Sequence, residues 1–303
     1  MSIAILGECM IECTQLNNGQ YKAGFGGDTL NTAVYLSRCG GHGDYFTALG
    51  DDTFSLNMME SWKQEGVGIS NVKIIPGQLP GIYLIENDCF GERHFYHWRQ
   101  NAPARQLLSA FPEIFDDLRK YSIIFLTGIS LSIYPQQDRI QLFSFLSEFR
   151  RKGGTVAFDN NFRPKNWPDV DTAKACYEKM MSLTDIALLS FDDEIEMHGE
   201  HTIEECLERW SSRFVSEIII KQGSKESLIY KDGEVVTVPV DHIVVPVDTT
   251  AAGDSFNGAY FAARQRGESI KQCVKEAQLC ASIVIQHKGA IIDHSINLRG
   301  AKL

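Results

Sequence analysis

Zinc and disulfide spacings are missing from this sequence. It has eight cysteines (Cys9, Cys13, Cys39, Cys89, Cys176, Cys206, Cys273 and Cys280) but no Cys-x-x-Cys pair and no His-rich run. Their scatter argues against a structural zinc site or a disulfide framework and predicts reduced, partly buried thiols in a cytoplasmic protein. No apolar run approaches the ~20 residues that span a bilayer, so no membrane association is expected. The opening MSIAILGECM has neither a basic n-region nor a long apolar stretch, so it is not expected to be a signal peptide. Positive charge is also short, with 29 Lys and Arg against 39 Asp and Glu and a net charge of -10. That balance argues against a nucleic-acid binder, which usually presents a basic face. It leaves anionic small molecules open, because a few local cations and backbone N–H groups suffice for a phosphate. There is no repeat, no low-complexity tract and no linker long enough to split the chain, so residues 1–303 are expected to form one domain. No G-x-G-x-x-G follows a strand, which leaves a dinucleotide reading without its fingerprint.

What is present is an alternation. Hydrophobic residues make up 44% and charged residues 22%, as in a globular protein with a large core. Short apolar runs at Ile3–Leu6, Ile123–Leu126, Thr155–Phe158, Ile186–Leu189 and Glu217–Ile220 read as buried strands. Helical stretches lie between them. Asp138–Lys152 carries Ile140, Leu142, Phe143, Leu146 and Phe149 on one side, and Ile203–Phe214 carries Cys206, Leu207, Trp210 and Phe214. Such alternation predicts an α/β fold, a parallel sheet covered on both faces. Ligands then sit beyond the carboxyl ends of the strands, which selects Gly7, Gly128, Asn160, Ser190 and Gly223. Residues 8–24 and 80–99 instead interleave polar and aromatic side chains, predicting antiparallel strands of a small sheet that covers a cleft.

Two glycine turns carry the chemistry. In Asp248-Thr249-Thr250-Ala251-Ala252-Gly253-Asp254, small residues lead into an apolar helix. Unpaired first-turn N–H groups and the helix dipole make Ala251, Ala252 and Gly253 a candidate anion hole. Asp254, at the helix start, could accept a proton from a substrate hydroxyl; on spacing alone it could equally be an ordinary N-cap. In Phe25-Gly26-Gly27-Asp28-Thr29-Leu30-Asn31, Asp28 and Asn31 lie three apart, share one side of a helix and could hold sugar hydroxyls.

Together FGGDTLN and DTTAAGDSFNGAY resemble the two signatures of the ribokinase-like (PfkB) carbohydrate kinase family, and the resemblance runs from GECMIE through DNNFRPKNW to the GAII stretch. It implies a ribokinase-like, Rossmann-type three-layer α/β sandwich with a β lid, and transfer of the γ-phosphate of ATP, with Mg2+, to a sugar-acid hydroxyl. By resemblance Asp254 is the proton acceptor, Ala251, Ala252 and Gly253 the anion hole, and Gly27, Asp28 and Asn31 the sugar site. Tyr83, His97 and Arg99 match lid residues over the substrate. Arg163 matches an arginine at phosphate and substrate. Asn161, Arg163, Ser190, Lys221, Gly223, Ser224, Glu226 and Gly253 match the nucleotide site. Many members carry Asn-x-x-Glu where this chain has Ser190-Phe191-Asp192-Asp193, so Asp193 is the candidate for a water-mediated contact to the metal.

The substrate class follows partly from the residues. A carboxylate favours arginine, whose planar fork meets both oxygens. Arg99 follows His97 by two, so on a lid strand both would share a face; Arg93 and Arg105 lack the same-face pairing with Tyr83 that the resemblance suggests. This points to a keto sugar acid rather than a neutral sugar of the fructose or ribose type, the remaining alternative being a sugar-acid sensor that has lost catalysis. Phe95 shares parity with His97, whereas Trp98 belongs to lid packing or a subunit contact. The aromatic surface of the lid predicts a homo-oligomer, a dimer through the lids.

Overall fold

A computed structural model describes residues 1–16, 19–87, 93–199, 202–241 and 243–298; Cys89 lies outside them. In chain order the strands are β1 (Ile3–Leu6), β2 (Met10–Gln15), β3 (Tyr21–Gly26), β4 (Asp44–Leu49), β5 (Val72–Ile74), β6 (Ile82–Asn87), β7 (Arg93–Trp98), β8 (Ile123–Thr127), β9 (Thr155–Asp159), β10 (Ile186–Ser190), β11 (Glu217–Lys221), β12 (Ser227–Lys231) and β13 (Glu234–Val238). The main sheet has the order β13-β12-β11-β10-β9-β8-β1-β4-β5, and every pairing from β11 to β5 is parallel. β12 reverses the pattern, running antiparallel to both of its neighbours.

Each apolar run feeds two cores because successive side chains of a strand point to opposite faces. Ala4, Leu6, Ile124, Leu126, Ile218 and Ile220 pack with the Gln136–Arg151 helix on one face. Ile3, Ile5, Ile123, Phe125 and Ile219 pack on the other face with the Asp28–Arg38, Ala252–Gln265 and Ile270–Val284 helices. The α/β sandwich expected from the alternation is therefore present. Two expected core residues are not: Phe214, past the end of the Ile203–Ser211 helix, is 89% exposed, and Ile140 is 54% exposed, with Phe145 taking its place among the buried positions of its helix. A stripe through Leu142, Phe145, Leu146 and Phe149 satisfies the 3.6-residue period, and Ile140 falls off it.

The small sheet has the order β3-β2-β6-β7. Two of its pairings are antiparallel as expected, but β2 and β6 run parallel, so the sheet joins two hairpins side by side. β3 ends at Gly26, directly before the Asp28–Arg38 helix. The lid therefore runs without a break into the first glycine turn.

Candidate active site

The helix containing the second glycine turn spans Ala252–Gln265 and has no side-chain cap. Asp254 is its third residue, so it is not the N-cap. That position belongs to Ala251, held in the left-handed region at φ 59° and ψ 18°, a conformation costing a non-glycine residue about 1–2 kcal/mol. The turn spends that energy on geometry: among the described residues, no backbone carbonyl accepts from the N–H of Gly253 or Asp254. A Cβ built on Gly253 would meet only the Lys221 Nζ, 3.6 Å away. Open space, donors without a backbone acceptor and the positive end of a helix are the features an anion site needs.

The Asp254 carboxylate is partly buried and accepts from Asn31 Nδ2 at 2.9 Å. Burial, and then the neighbouring Asp28 charge, push its pKa up to about 7, against the Asn31 hydrogen bond, which lowers it. Asn31 Oδ1 is buried without a partner among the described residues. It is an acceptor available to a substrate hydroxyl. Asp28 Oδ2 accepts from Thr127 Oγ1 at 2.5 Å and from Asn161 Nδ2 at 2.9 Å. Its pKa is raised, chiefly by burial. Gly27 contributes by its smallness, since a Cβ there would stand 2.2 Å from the Glu8 carbonyl oxygen.

Residues expected at the nucleotide divide into two groups. Gly223, at φ +60°, Ser224 and Glu226 form the exposed turn between β11 and β12, with Ser190 at the neighbouring end of β10. Asn161 and Lys221 are engaged further in. Asn161 gives its amide to Asp28, and Lys221 Nζ donates to Asp159 Oδ2 at 2.9 Å and Asn257 Oδ1 at 3.2 Å. Asp159 also accepts from Asn257 Nδ2. This buried pair places a cation beneath Gly253. Arg163 Nη1 meets Asp193 Oδ1 at 3.1 Å, and burial raises the Asp193 pKa to about 6, against the Arg163 charge, which lowers it. No group of three or more His, Cys, Asp or Glu suited to a metal occurs among the described residues. The donor set fits an ion held mainly by phosphate oxygens, with Asp193 as a single outer contact.

On the lid, Tyr83 pairs with His97 and Ile85 with Phe95 across β6 and β7, and the Tyr83 and His97 rings stack at 5.7 Å. The parity expected for Tyr83, Phe95 and His97 is met. Tyr83 donates to the Glu12 carboxylate on β2. Burial, with the Arg99 charge behind it, lowers the His97 pKa. Arg99 corrects the expectation in two ways. β7 ends at Trp98, so Arg99 lies just past the strand. Its Nη2 already donates to Glu8 Oε2, with side-chain exposures of 11% and 1%. Sequence reasoning missed Glu8, Thr127, Asp159 and Asn257. Thr127 and Asp159 carried a signal, each standing directly after an apolar run.

Comparison with known proteins agrees with this geometry. Residues 1–297 match the family described as pfkB family carbohydrate kinase. The chain is 44% identical to the 2-dehydro-3-deoxygluconokinase of Dickeya dadantii (strain 3937), covering 96% of each. It is 41% identical to the 2-dehydro-3-deoxygluconokinase of Escherichia coli (strain K12), again covering 96% of each. Among solved structures, the fructokinase with bound ATP from Xylella fastidiosa superposes with a TM-score of 0.84 at 21% identity, over 95% of this chain and 93% of that one.

Proposed function

The chain belongs to the pfkB family of carbohydrate kinases, and from that premise we propose that it transfers the γ-phosphoryl group of ATP to 2-dehydro-3-deoxygluconate (2-keto-3-deoxygluconate), giving the 6-phosphate. Whole-length likeness to the Dickeya and Escherichia enzymes supports the substrate. The observation that carries the chemistry is Asp254: a partly buried carboxylate poised near neutrality beside an open N–H cradle.

In this reading the sugar's hydroxyls meet Asp28 and Asn31, and Asp254 takes the proton of the attacking hydroxyl. A weak base suffices because the transition state is loose and the proton leaves late. The N–H groups of Gly253 and Asp254 face the charge spreading over the transferring phosphoryl, which preorganised donors stabilise. Lys221 adds positive charge under the same turn, held in place by Asp159. Gly223, Ser224, Glu226 and Ser190 line the nucleotide side, and Arg163 with Asp193 stands at the phosphate end. Asp193 would hold, through water, the Mg2+ that accompanies ATP, and the ion would supply neutralisation of the phosphate charge. The Tyr83, Phe95 and His97 face covers the sugar, and Arg99 meets the carboxylate. The enzyme is proposed to work in the cytoplasm as a dimer paired through its lids.

One observation favours a neutral sugar instead, namely that Arg99 is already paired with Glu8. ADP release measured across 2-keto-3-deoxygluconate, gluconate, fructose and ribose decides. The proposal expects the keto acid to give the highest kcat/KM by at least about 100-fold, the scale of one well-placed charged contact of up to ~3 kcal/mol. Faster turnover of fructose or ribose would transfer the assignment to a neutral sugar.

A further inference from the structure

We propose that Glu12 is a positioning residue of the sugar site: it takes up the one O–H of Tyr83, so that Tyr83 meets the substrate only as an acceptor and selects a sugar hydroxyl. This rests on the sugar-acid reading above and deepens it, because it gives the lid a preference for one end of the substrate.

The placement follows from the pairing of the lid strands. Glu12 on β2 stands beside Tyr83 on β6, and Tyr83 stands beside His97 on β7. Residues opposite one another on paired strands share a face, so the three form one row across the sheet. The Tyr83 phenol lies back across β2 toward β3. A Cβ built on Gly26 would run into its hydroxyl and would stand 3.4 Å from Glu12 Oε2. Gly26 ends β3 and directly precedes Gly27, the N-cap of the Asp28–Arg38 helix. The hydroxyl is thus held two residues from Asp28, at the sugar turn.

Both oxygens of Glu12 are engaged. Oε1 accepts from Thr14 Oγ1 at 3.0 Å, and Oε2 accepts from the Tyr83 hydroxyl. Thr14 lies two residues along the same strand and so on the same face. An ionised carboxylate can only accept, so the proton between Glu12 and Tyr83 belongs to the phenol. Burial, and then the Glu12 charge, raises the Tyr83 pKa, so the phenol keeps that proton. The Tyr83 ring is also held from its other side by the stack with His97.

The consequence is a matter of donors and acceptors. With its O–H given to Glu12, Tyr83 has only lone pairs left for a ligand. A sugar hydroxyl can donate to them; a keto or carboxylate oxygen cannot. Tyr83 then holds the hydroxyl-bearing part of the sugar acid and leaves the carboxylate to be met elsewhere. The opposite face of the lid carries a second pair of the same chemistry, in which the exposed Tyr21 donates to Glu86 Oε1 at 2.8 Å. Away from the sugar turn, that pair serves as the control.

The test uses the full chain with Tyr83→Phe, Glu12→Ala, the two together, Glu12→Gln and Tyr21→Phe, with thermal melting to check the fold. Tyr83→Phe and Glu12→Ala should each raise the KM for 2-keto-3-deoxygluconate about five- to tenfold, the scale of one lost hydrogen bond, with kcat and the KM for ATP within about twofold. The double variant should be no weaker than Tyr83→Phe alone, since Glu12 acts through the hydroxyl. Glu12→Gln should recover most of the loss, because its amide oxygen can still accept from Tyr83. Tyr21→Phe should leave the KM unchanged. An unchanged KM in Tyr83→Phe or Glu12→Ala overturns the inference. So does an additive double variant, a Glu12→Gln as impaired as Glu12→Ala, or an equal loss in Tyr21→Phe. If Glu12→Ala does not fold, Tyr83→Phe and Glu12→Gln decide between them. If the unaltered enzyme turns over no sugar acid at all, the functional reading falls and takes this inference with it. If it does and the variants match it, the inference alone falls.

Discussion

Asp254 gets its chemistry from its surroundings more than from its residue type. An ordinary aspartate would be ionised across the whole working range of pH. Here burial and the Asp28 charge raise its pKa to about 7, so the base is lost as pH falls through neutrality. We therefore expect kcat/KM to decline on the acid side with an apparent pKa near 7. Asp28→Asn removes the like charge and should move that limb to lower pH; Asn31→Ala removes a lowering hydrogen bond and should move it higher. A pH–rate profile of the three proteins checks both directions. Arg99→Ala should raise the KM for the keto acid about 30-fold, the equivalent of ~2 kcal/mol for a charged contact. It should also lower the melting temperature, since it leaves Glu8 buried without its partner. The glycine turns made Asp254, Asp28 and Asn31 legible in the sequence. Their mutual contacts were not, because the Asn31–Asp254 bond joins residues 223 apart. Glu8 gave no signal, since a glutamate after a strand is usually a solvated loop residue.

Among the elements, the apolar runs declared themselves because a strand buried on both faces needs no polar alternation. The lid was legible as strands and as one shared face for Tyr83, Phe95 and His97. Its β2–β6 pairing was not. Side chains alternate with the same period in parallel and antiparallel pairs, so parity cannot separate them. The junction of lid and body is tight at Gly27. Gly27→Ala would drive a Cβ to 2.2 Å from the Glu8 carbonyl, a backbone atom with little freedom to move. Overpacking of this kind costs about 1–3 kcal/mol, so calorimetry should show a melting temperature lower by several degrees. The strand β3 and the Asp28–Arg38 helix meet at this residue, so the KM for the sugar should rise as well.

At the scale of the molecule, one sheet with a core on each face carries the proposed nucleotide turn, anion cradle and sugar turn beyond the carboxyl ends of its strands. The lid leaves Phe95, Tyr96 and Trp98 each 46–55% exposed. If these faces pair, Tyr96→Glu with Trp98→Glu should halve the mass seen by light scattering at micromolar concentration; an unchanged mass places the contact elsewhere. The catalytic claim has a more direct test. Turnover and calorimetric binding of 2-keto-3-deoxygluconate are measured on Asp254→Asn beside the unaltered enzyme. Loss of the base should cut kcat by about 100-fold or more, while binding of the sugar acid stays within a few-fold. An Asp254→Asn enzyme that keeps its kcat would contradict the assignment of Asp254 as the proton acceptor.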